Sequence, residues 1–313
     1  MTRGHCHASI RRTLSALLPC LLLTQQLVWA HTYVLPPSDE ELVGNVKWEP
    51  LLDTENMVDA AVRLRIGQQA LQRANPNIDR WSKSTDRLQI PTRHILPRIS
   101  RNGLVLNLPE MRLYHYWTSH HNDTQWISTY AVSIGRQDWQ TPVSATAVIE
   151  RRKDPDWTPP GSIKEEARAA GRFLPDIVPA GPDNPLGQHA LRLSIPGYLL
   201  HGTNRPQGIG MRVTHGCVRL YPADIKELYY RAPVGTVVHI INEPVKVGWY
   251  AGALYLEVHP PLEEFFMTEN ELVALAADRI RQETRGLDIE LRTQRIREVI
   301  RQRTGLPVRL SDS

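Results

Sequence analysis

A mostly β, α+β fold is what the sequence predicts: a sandwich or barrel-like sheet core with a small module before it and a helical extension after it. Three observations predict it. From about residue 98 to 242, short strand-like runs follow one another with turns between them, the texture of sandwiches and barrels rather than of alternating βαβ units. Between 51 and 97 the apolar spacing is helical and then turns. Beyond about 262 it is amphipathic and helical again.

The chain opens with a segment to be set apart from the fold. Arg3, Arg11 and Arg12 are followed by an apolar run over 14–23, and Val28-Trp29-Ala30 places small residues where a signal peptidase reads. That is the tripartite export pattern, with cleavage near Ala30. A retained membrane span needs roughly 20 apolar residues, and this run is shorter and broken by Pro19. Membrane contact is therefore expected only through the cleaved signal peptide. Without it, 34 basic residues face 33 acidic ones, and nothing in that balance calls for a nucleic-acid partner. Cys6 and Cys20 leave with the signal, so Cys217 is the one cysteine of the exported chain. In an oxidising compartment a lone thiol is a liability unless it is buried or employed.

Residues 31–50, with Pro36-Pro37 and little periodicity, read as an extended leader. In 51–97, Val58, Val62, Leu64 and Ile66 precede a short helix over 68–73, a turn at 74–77, and a strand over 86–91. Leu71-Gln72-Arg73-Ala74-Asn75-Pro76 and Leu88-Gln89-Ile90-Pro91 resemble pieces of a LysM module, a small strand–helix–helix–strand glycan binder. Without a ligand, the same segment is a packing domain.

The core domain is expected over 98–243. Runs 104–108 and 111–116 flank Pro109-Glu110 as a hairpin; further strands are expected at 126–134, 147–151, 190–195, 198–200 and 236–241. The interval 155–185 breaks the rhythm, with seven prolines around a helical stretch at 162–170. Long loops in compact domains are often lids, and this one directly precedes the strands leading to His201. In the extension, 244–313, Thr268 and Glu271 form a capping box, Gly286 stops the first helix, and Asp288 caps the second.

The chemistry is concentrated in His201-Gly202-Thr203-Asn204, Gly208-Ile209-Gly210 and Thr214-His215-Gly216-Cys217-Val218-Arg219-Leu220. A thiol needs a base or a positive field to become a nucleophile. Two histidines are available for this, His201 and His215, and the glycine-rich turn between them is short enough to fold His201 back beside Cys217. Gly216 allows close backbone approach, and N–H groups near Gly216 and Cys217 are placed for a developing oxyanion. Zinc would want four ligands, more than one cysteine and two histidines provide.

These residues resemble the signature of the YkuD-type L,D-transpeptidase (ErfK/YbiS/YcfS/YnhG) family. The stretches 179–187 and 209–213 match as well, and the likeness runs from about 103 to 244. Thr214 stands where serine is commoner, and Arg219 where some members carry asparagine. The resemblance implies a periplasmic enzyme without cofactor acting on peptidoglycan stem peptides. Cys217 would be the nucleophile and His201 the proton acceptor and donor. Thr214, His215, Gly216, Arg219 and Gly202 fall on supporting, oxyanion or substrate-binding positions. Cys217 would attack the bond between diaminopimelate and the terminal D-Ala and pass the acyl group to an amine. That amine is the C-terminal lysine of the outer-membrane lipoprotein, favoured by the three-part architecture, or a second diaminopimelate. A hydrolase using water, and a wall-binding protein with a silent catalytic domain, are the competing readings. An activated Cys217 should also be readily oxidised by peroxide.

Overall fold

The computed structural model describes residues 1, 31–83, 87–119 and 121–311. The expected export signal therefore lies, Met1 apart, outside the described residues, as does Asp86. Residues 31–50 are not a free leader. Strand β1 (His31–Val34) pairs antiparallel with the main sheet, and β2 (Leu42–Val43) takes a later partner. Strand β3 (Val46–Pro50) opens a small unit continued by helices α1 (Met57–Leu64) and α2 (Gln68–Ala74) and closed by β4 (Arg87–Pro91). β3 and β4 pair antiparallel, Val46 opposite Pro91, so the unit starts before residue 51. Its first strand carries Lys47 and Glu49 and is mostly exposed, which is why no apolar alternation announces it.

Asn56 caps α1, accepting from the Val58 and Asp59 N–H groups at 2.8 and 3.1 Å while Asp59 returns a bond to Asn56 N, a reciprocal capping box. Leu71, Ile66, Leu88 and Ile90 are buried in the unit's own core, each worth about 1.5–3 kcal/mol by removal from water. β5 (His94–Ile95) then pairs with β2.

The main sheet is a closed ring. Its strands are β6 (Gly103–Asn107), β7 (Arg112–Thr118), β8 (Gln125–Gly135), β9 (Ser144–Lys153), β10 (His189–Leu193), β11 (Leu199–His201), β13 (Val218–Leu220) and β14 (Val237–Ile241). The order runs β8-β13-β11-β10-β9-β14-β6-β7, and β7 pairs back onto β8. β1 and β12 (Arg212–Thr214) add to β8. This is the barrel alternative of the predicted mostly β fold. Leu104, Leu106, Leu113, Val132, Leu191, Leu200, Val218 and Val238 fill its interior. Helix α3 (Gly161–Ala169) lies in the proline-rich interval. Helix α4 (Pro222–Arg231) seals the ring with Ile225 and Leu228.

The C-terminal extension is less helical than the sequence predicts. β15 (Val245–Tyr250) and β16 (Ala253–Val258) form a hairpin, and β17 (Val308–Arg309) joins it. Its turn, Ala251-Gly252, has positive φ at both residues (48° and 73°). The hairpin turn type that needs this usually carries Asn-Gly or Asp-Gly, and that missing signal hides the hairpin. Helix α5 (Glu269–Glu283) has the expected Thr268–Glu271 capping box. Helix α6 (Thr293–Gln302) begins after Arg292 with no side-chain cap, so the cap expected at Asp288 is corrected. Among the described residues no helix is long and apolar enough to cross a membrane.

Both flanking units grip the same short segment of the barrel. The Gln68 and Gln69 N–H groups at the start of α2 donate to Ile209 O (2.9 Å) and Gly210 O (3.3 Å). Gly210, at φ +81°, sits so close that a Cβ would lie 2.2 Å from Gly67 Cα. Arg65 Nη1 reaches Asp224 Oδ1 of α4 at 2.7 Å. From the other side, Arg212 makes two 2.8 Å bonds to Glu264 and one of 3.1 Å to Gly135 O. Residues 209–212, which lead into Thr214-His215-Gly216-Cys217, are thus held from two directions.

The C-terminal hairpin is locked on by a buried charge cluster. Lys246 is fully buried, with Nζ 2.6 Å from Ile95 O, 3.0 Å from Glu110 Oε2, 3.1 Å from Tyr114 Oη and 2.8 Å from Glu257 Oε1. Burial opposes its charge, but Glu110 and Glu257 outweigh burial and hold Lys246 above its ordinary value.

Candidate active site

The register of two short parallel strands builds the site. β11 and β13 pair with Leu200 opposite Val218 and His201 opposite Arg219. Side chains alternate faces along a strand. Leu200, Val218 and Leu220 turn into the barrel, so His201 and Arg219 stand side by side on the other face, and Cys217, in the bend just before β13, lines one cavity with both. The chain between them runs through Gly208, Gly210 and Gly216, and His201 and Cys217 both line one cavity.

The turn before the cysteine is tightly specified. Gly216 has φ +96°, and a Cβ there would meet the Tyr198 ring at 3.0 Å. Thr214 Oγ1 donates to Cys217 O at 2.6 Å, and Thr141 Oγ1 donates to Gly216 O at 2.7 Å. The Thr214 hydroxyl thus holds the turn that carries Cys217.

His201 is 5% exposed, and its Nδ1 lies 2.7 Å from Gly202 O. A carbonyl only accepts, so Nδ1 carries the hydrogen and the lone pair of the neutral ring is on Nε2. Gly202 fits with little room: a Cβ would lie 3.2 Å from both Ile225 Cγ2 and Leu186 O. Burial, then the Arg219 charge, pushes His201 down to about 3. Burial likewise raises the Cys217 thiol above its ordinary value, against the opposing pull of Leu199 N–H and Arg219. At neutral pH the resting pair is an uncharged imidazole and an uncharged thiol, whose Sγ is 3.5 Å from Gly197 O.

His215 takes a different direction. Its Nε2 lies 2.7 Å from Glu166 Oε2, and its ring meets Trp139 edge-on at 5.2 Å. Glu166 belongs to α3 and is also held by Arg136 at 3.0 and 3.1 Å. Arg136 first and His215 second pull Glu166 down to about 2. His215 therefore fastens the proline-rich interval to the turn beside Cys217. Trp157 and Val178 exchange two 2.8 Å backbone bonds at the neck of that interval. Asn184, fully buried, donates to Pro155 O at 2.8 Å and accepts from Leu186 N at 2.9 Å.

Under this lid lie two cavities. One of about 300 Å³ is lined by His201, Cys217, Thr214 and Arg219 together with Trp157 and Ile163 of the lid. The other, of about 690 Å³, is lined by Arg219, His215 and Arg205 with Glu166 and Arg172 of the lid. The predicted site residues Cys217, His201, Thr214, His215 and Arg219 thus share one cleft wall, with Gly202 and Gly216 shaping the backbone around them. Sequence reasoning missed Glu166, Arg136 and Thr141, and gave Asn184 only as part of the matching stretch 179–187. The proline clustering and the resemblance over 179–187 pointed to that region, but partners distant in sequence leave no local spacing to read.

One group of metal-type donors exists among the described residues, His94, Glu110 and Glu257. Lys246 already sits on both carboxylates as their cation, so the cluster does not fit a metal ion.

The model of the YkuD family, the L,D-transpeptidase catalytic domain, matches residues 101–240. "Probable L,D-transpeptidase YcfS" of Escherichia coli is 38% identical over 286 residues, 89% of this chain and 88% of that protein. "Probable L,D-transpeptidase YbiS" of the same species is 40% identical over 290 residues, 90% and 92% of the two chains. "Probable L,D-transpeptidase ErfK/SrfK" of Salmonella typhimurium is 36% identical over 299 residues, 93% and 94%.

Proposed function

The chain belongs to the YkuD L,D-transpeptidase family, and from that premise we propose that Cys217 forms a thioester with a peptidoglycan tetrapeptide stem and transfers it to an amine. The observation carrying this reading is the one cavity that His201 and Cys217 line together beneath the proline-rich interval. In acylation the Sγ proton passes to His201 Nε2 as sulfur attacks the carbonyl between diaminopimelate and D-Ala. His201 returns the proton to the departing D-Ala nitrogen, and a second amine then repeats the sequence in reverse. Backbone N–H groups at Gly216 and Cys217 stabilise the oxyanion. Because thiol and imidazole both rest uncharged, proton transfer accompanies attack and charge arises only on the way to the transition state.

The acceptor in this reading is the C-terminal lysine of an outer-membrane lipoprotein, with a second diaminopimelate as the other amine of the family chemistry. The three-part architecture supports that choice: the β3–β4 unit, read as LysM-like, before the barrel, and the hairpin-and-helix extension after it. The enzyme works in the periplasm after loss of its signal peptide, and the LysM-like unit meets glycan.

The test is to incubate the protein with disaccharide-tetrapeptide, with and without a lysine-terminated peptide, and to resolve products by mass spectrometry. The expected result is D-Ala release with the lysine peptide joined to the stem. Stem–stem dimers alone would assign cross-linking instead, and tripeptide alone would make the enzyme a hydrolase.

A further inference from the structure

Helix α3 is held to the barrel chiefly by one carboxylate. It buries Ala167 alone and begins after Pro160 with no side-chain cap. Lys164 is paired inside the interval, with Asp176 at 2.7 Å. Among the described residues, the side-chain hydrogen bonds from α3 to the rest of the barrel all pass through Glu166. Arg136 donates to both its oxygens, at 3.0 and 3.1 Å, and His215 Nε2 donates to Oε2 at 2.7 Å. Two parallel bonds from a guanidinium and a third donor fix an ionised carboxylate in direction as well as place. Both partners are anchored beside Cys217. His215 belongs to the same turn, and Arg136 N donates to Thr214 O at 3.0 Å.

What the interval covers is the approach to the sulfur. The cavity holding Cys217 takes Trp157 and Ile163 from it. The adjoining cavity of about 690 Å³ takes Trp157, Ile163, Glu166, Arg172, Leu174 and Val178. His215 lines both. A thioester formed there has two fates. In one, an amine nitrogen attacks the carbonyl, an amide forms, the C–S bond breaks and the amine's proton goes to sulfur. In the other, a water oxygen attacks, a carboxylic acid forms, the same bond breaks and a proton from water goes to sulfur. Water needs no binding surface, whereas a bulky amine must be held in line with the carbonyl. Displacing the interval removes walls that the amine needs and admits water at the same time.

We propose that Glu166 is a specificity-determining residue, latching α3 over the acyl-enzyme so that the acyl group passes to an amine rather than to water. This rests on the reading of Cys217 as the acylated nucleophile. Glu166 acts through Arg136 and His215, as a positioning residue.

In the experiment, the full chain receives disaccharide-tetrapeptide and a lysine-terminated peptide at one fixed concentration. The ratio of transfer products (lysine-joined stem plus stem–stem dimer) to tripeptide is measured for the wild-type protein, E166A and E166Q. Both kinds of product come from one acyl-enzyme, so the ratio depends neither on the fraction of protein folded nor on the rate of acylation. E166A should lower it about 10- to 100-fold, the penalty of a reactant held out of line. It should also raise the lysine-peptide concentration that half-saturates transfer. E166Q, which still accepts a hydrogen bond, should fall between the two. A ratio in E166A equal to that of the wild-type protein would overturn the proposal, whatever the total yield. So would a wild-type protein that makes tripeptide and no transfer product. If the wild-type protein releases no D-Ala at all, the acyl-transfer reading itself fails, and the latch falls with it.

Discussion

At the scale of single residues, the site is built to keep its reactants uncharged until substrate arrives. The Gly202 carbonyl holds the hydrogen of His201 on Nδ1 and leaves the lone pair on Nε2, while burial denies the ring a second proton down to about pH 3. Burial also raises the thiol, because low-dielectric surroundings penalise the thiolate. This changes one expectation from the sequence: a thiolate-rich cysteine would oxidise quickly in peroxide, whereas a thiol held above its ordinary value resists it. Alkylation of Cys217 by iodoacetamide should be slow at pH 7 and still be rising past about pH 8.5, the ordinary thiol value. A rate that levels off below pH 7 would mean a preformed thiolate and would contradict the neutral resting pair.

At the scale of elements, legibility followed local pattern. The hairpin of β6 and β7, strand β8 and the capped start of α5 were readable because alternation, Pro109-Glu110 and Thr268–Glu271 all lie within a few residues. The lining of one cavity by His201 and Cys217 was readable for the same reason, since a glycine-rich turn joins them. Helix α4 was overlooked although Pro222 stands at its first turn and Ile225, Leu228 and Tyr229 recur at helical spacing. The catalytic signature directly before it drew the reading toward chemistry. β3 and the β15–β16 hairpin were illegible for physical causes: one strand is mostly exposed, and the other pair turns on Ala-Gly. The partners of His215 were beyond reach, because Glu166 and Arg136 lie 49 and 30 residues from the groups they hold. The clasp on residues 209–212 is likewise a product of packing between units. It explains why the small unit and the extension bear on the turn before Cys217 although neither supplies a catalytic group.

At the scale of the whole molecule, buried titratable groups set how stability depends on pH. His115 and His201 are both held down to about 3, chiefly by burial, and His94 is held well below its ordinary value for the same reason. An unfolded histidine gains its proton near pH 6.5. Below that value the unfolded chain binds protons the folded one refuses, and stability falls until the folded value is passed. At pH 5 His115 and His201 each cost about 2 kcal/mol. Asp224 works the other way: burial raises it to about 7 against the pull of Arg65, so acidification from pH 7 relieves it by about the same amount as one histidine costs. The net expectation is a melting temperature that falls between pH 7 and pH 5, read by calorimetry. A flat profile over that window would mean that the histidines are not buried neutral.

The central claim, that Cys217 is acylated with His201 as its base, is tested most directly by intact-protein mass spectrometry. The full chain would be mixed with disaccharide-tetrapeptide in the absence of any amine acceptor, alongside Cys217→Ala and His201→Ala. The account predicts that the wild-type protein gains the mass of the stem less D-Ala, that Cys217→Ala gains none, and that His201→Ala acquires it about 10²- to 10⁴-fold more slowly. An adduct on Cys217→Ala, or acylation of His201→Ala at the wild-type rate, would contradict it.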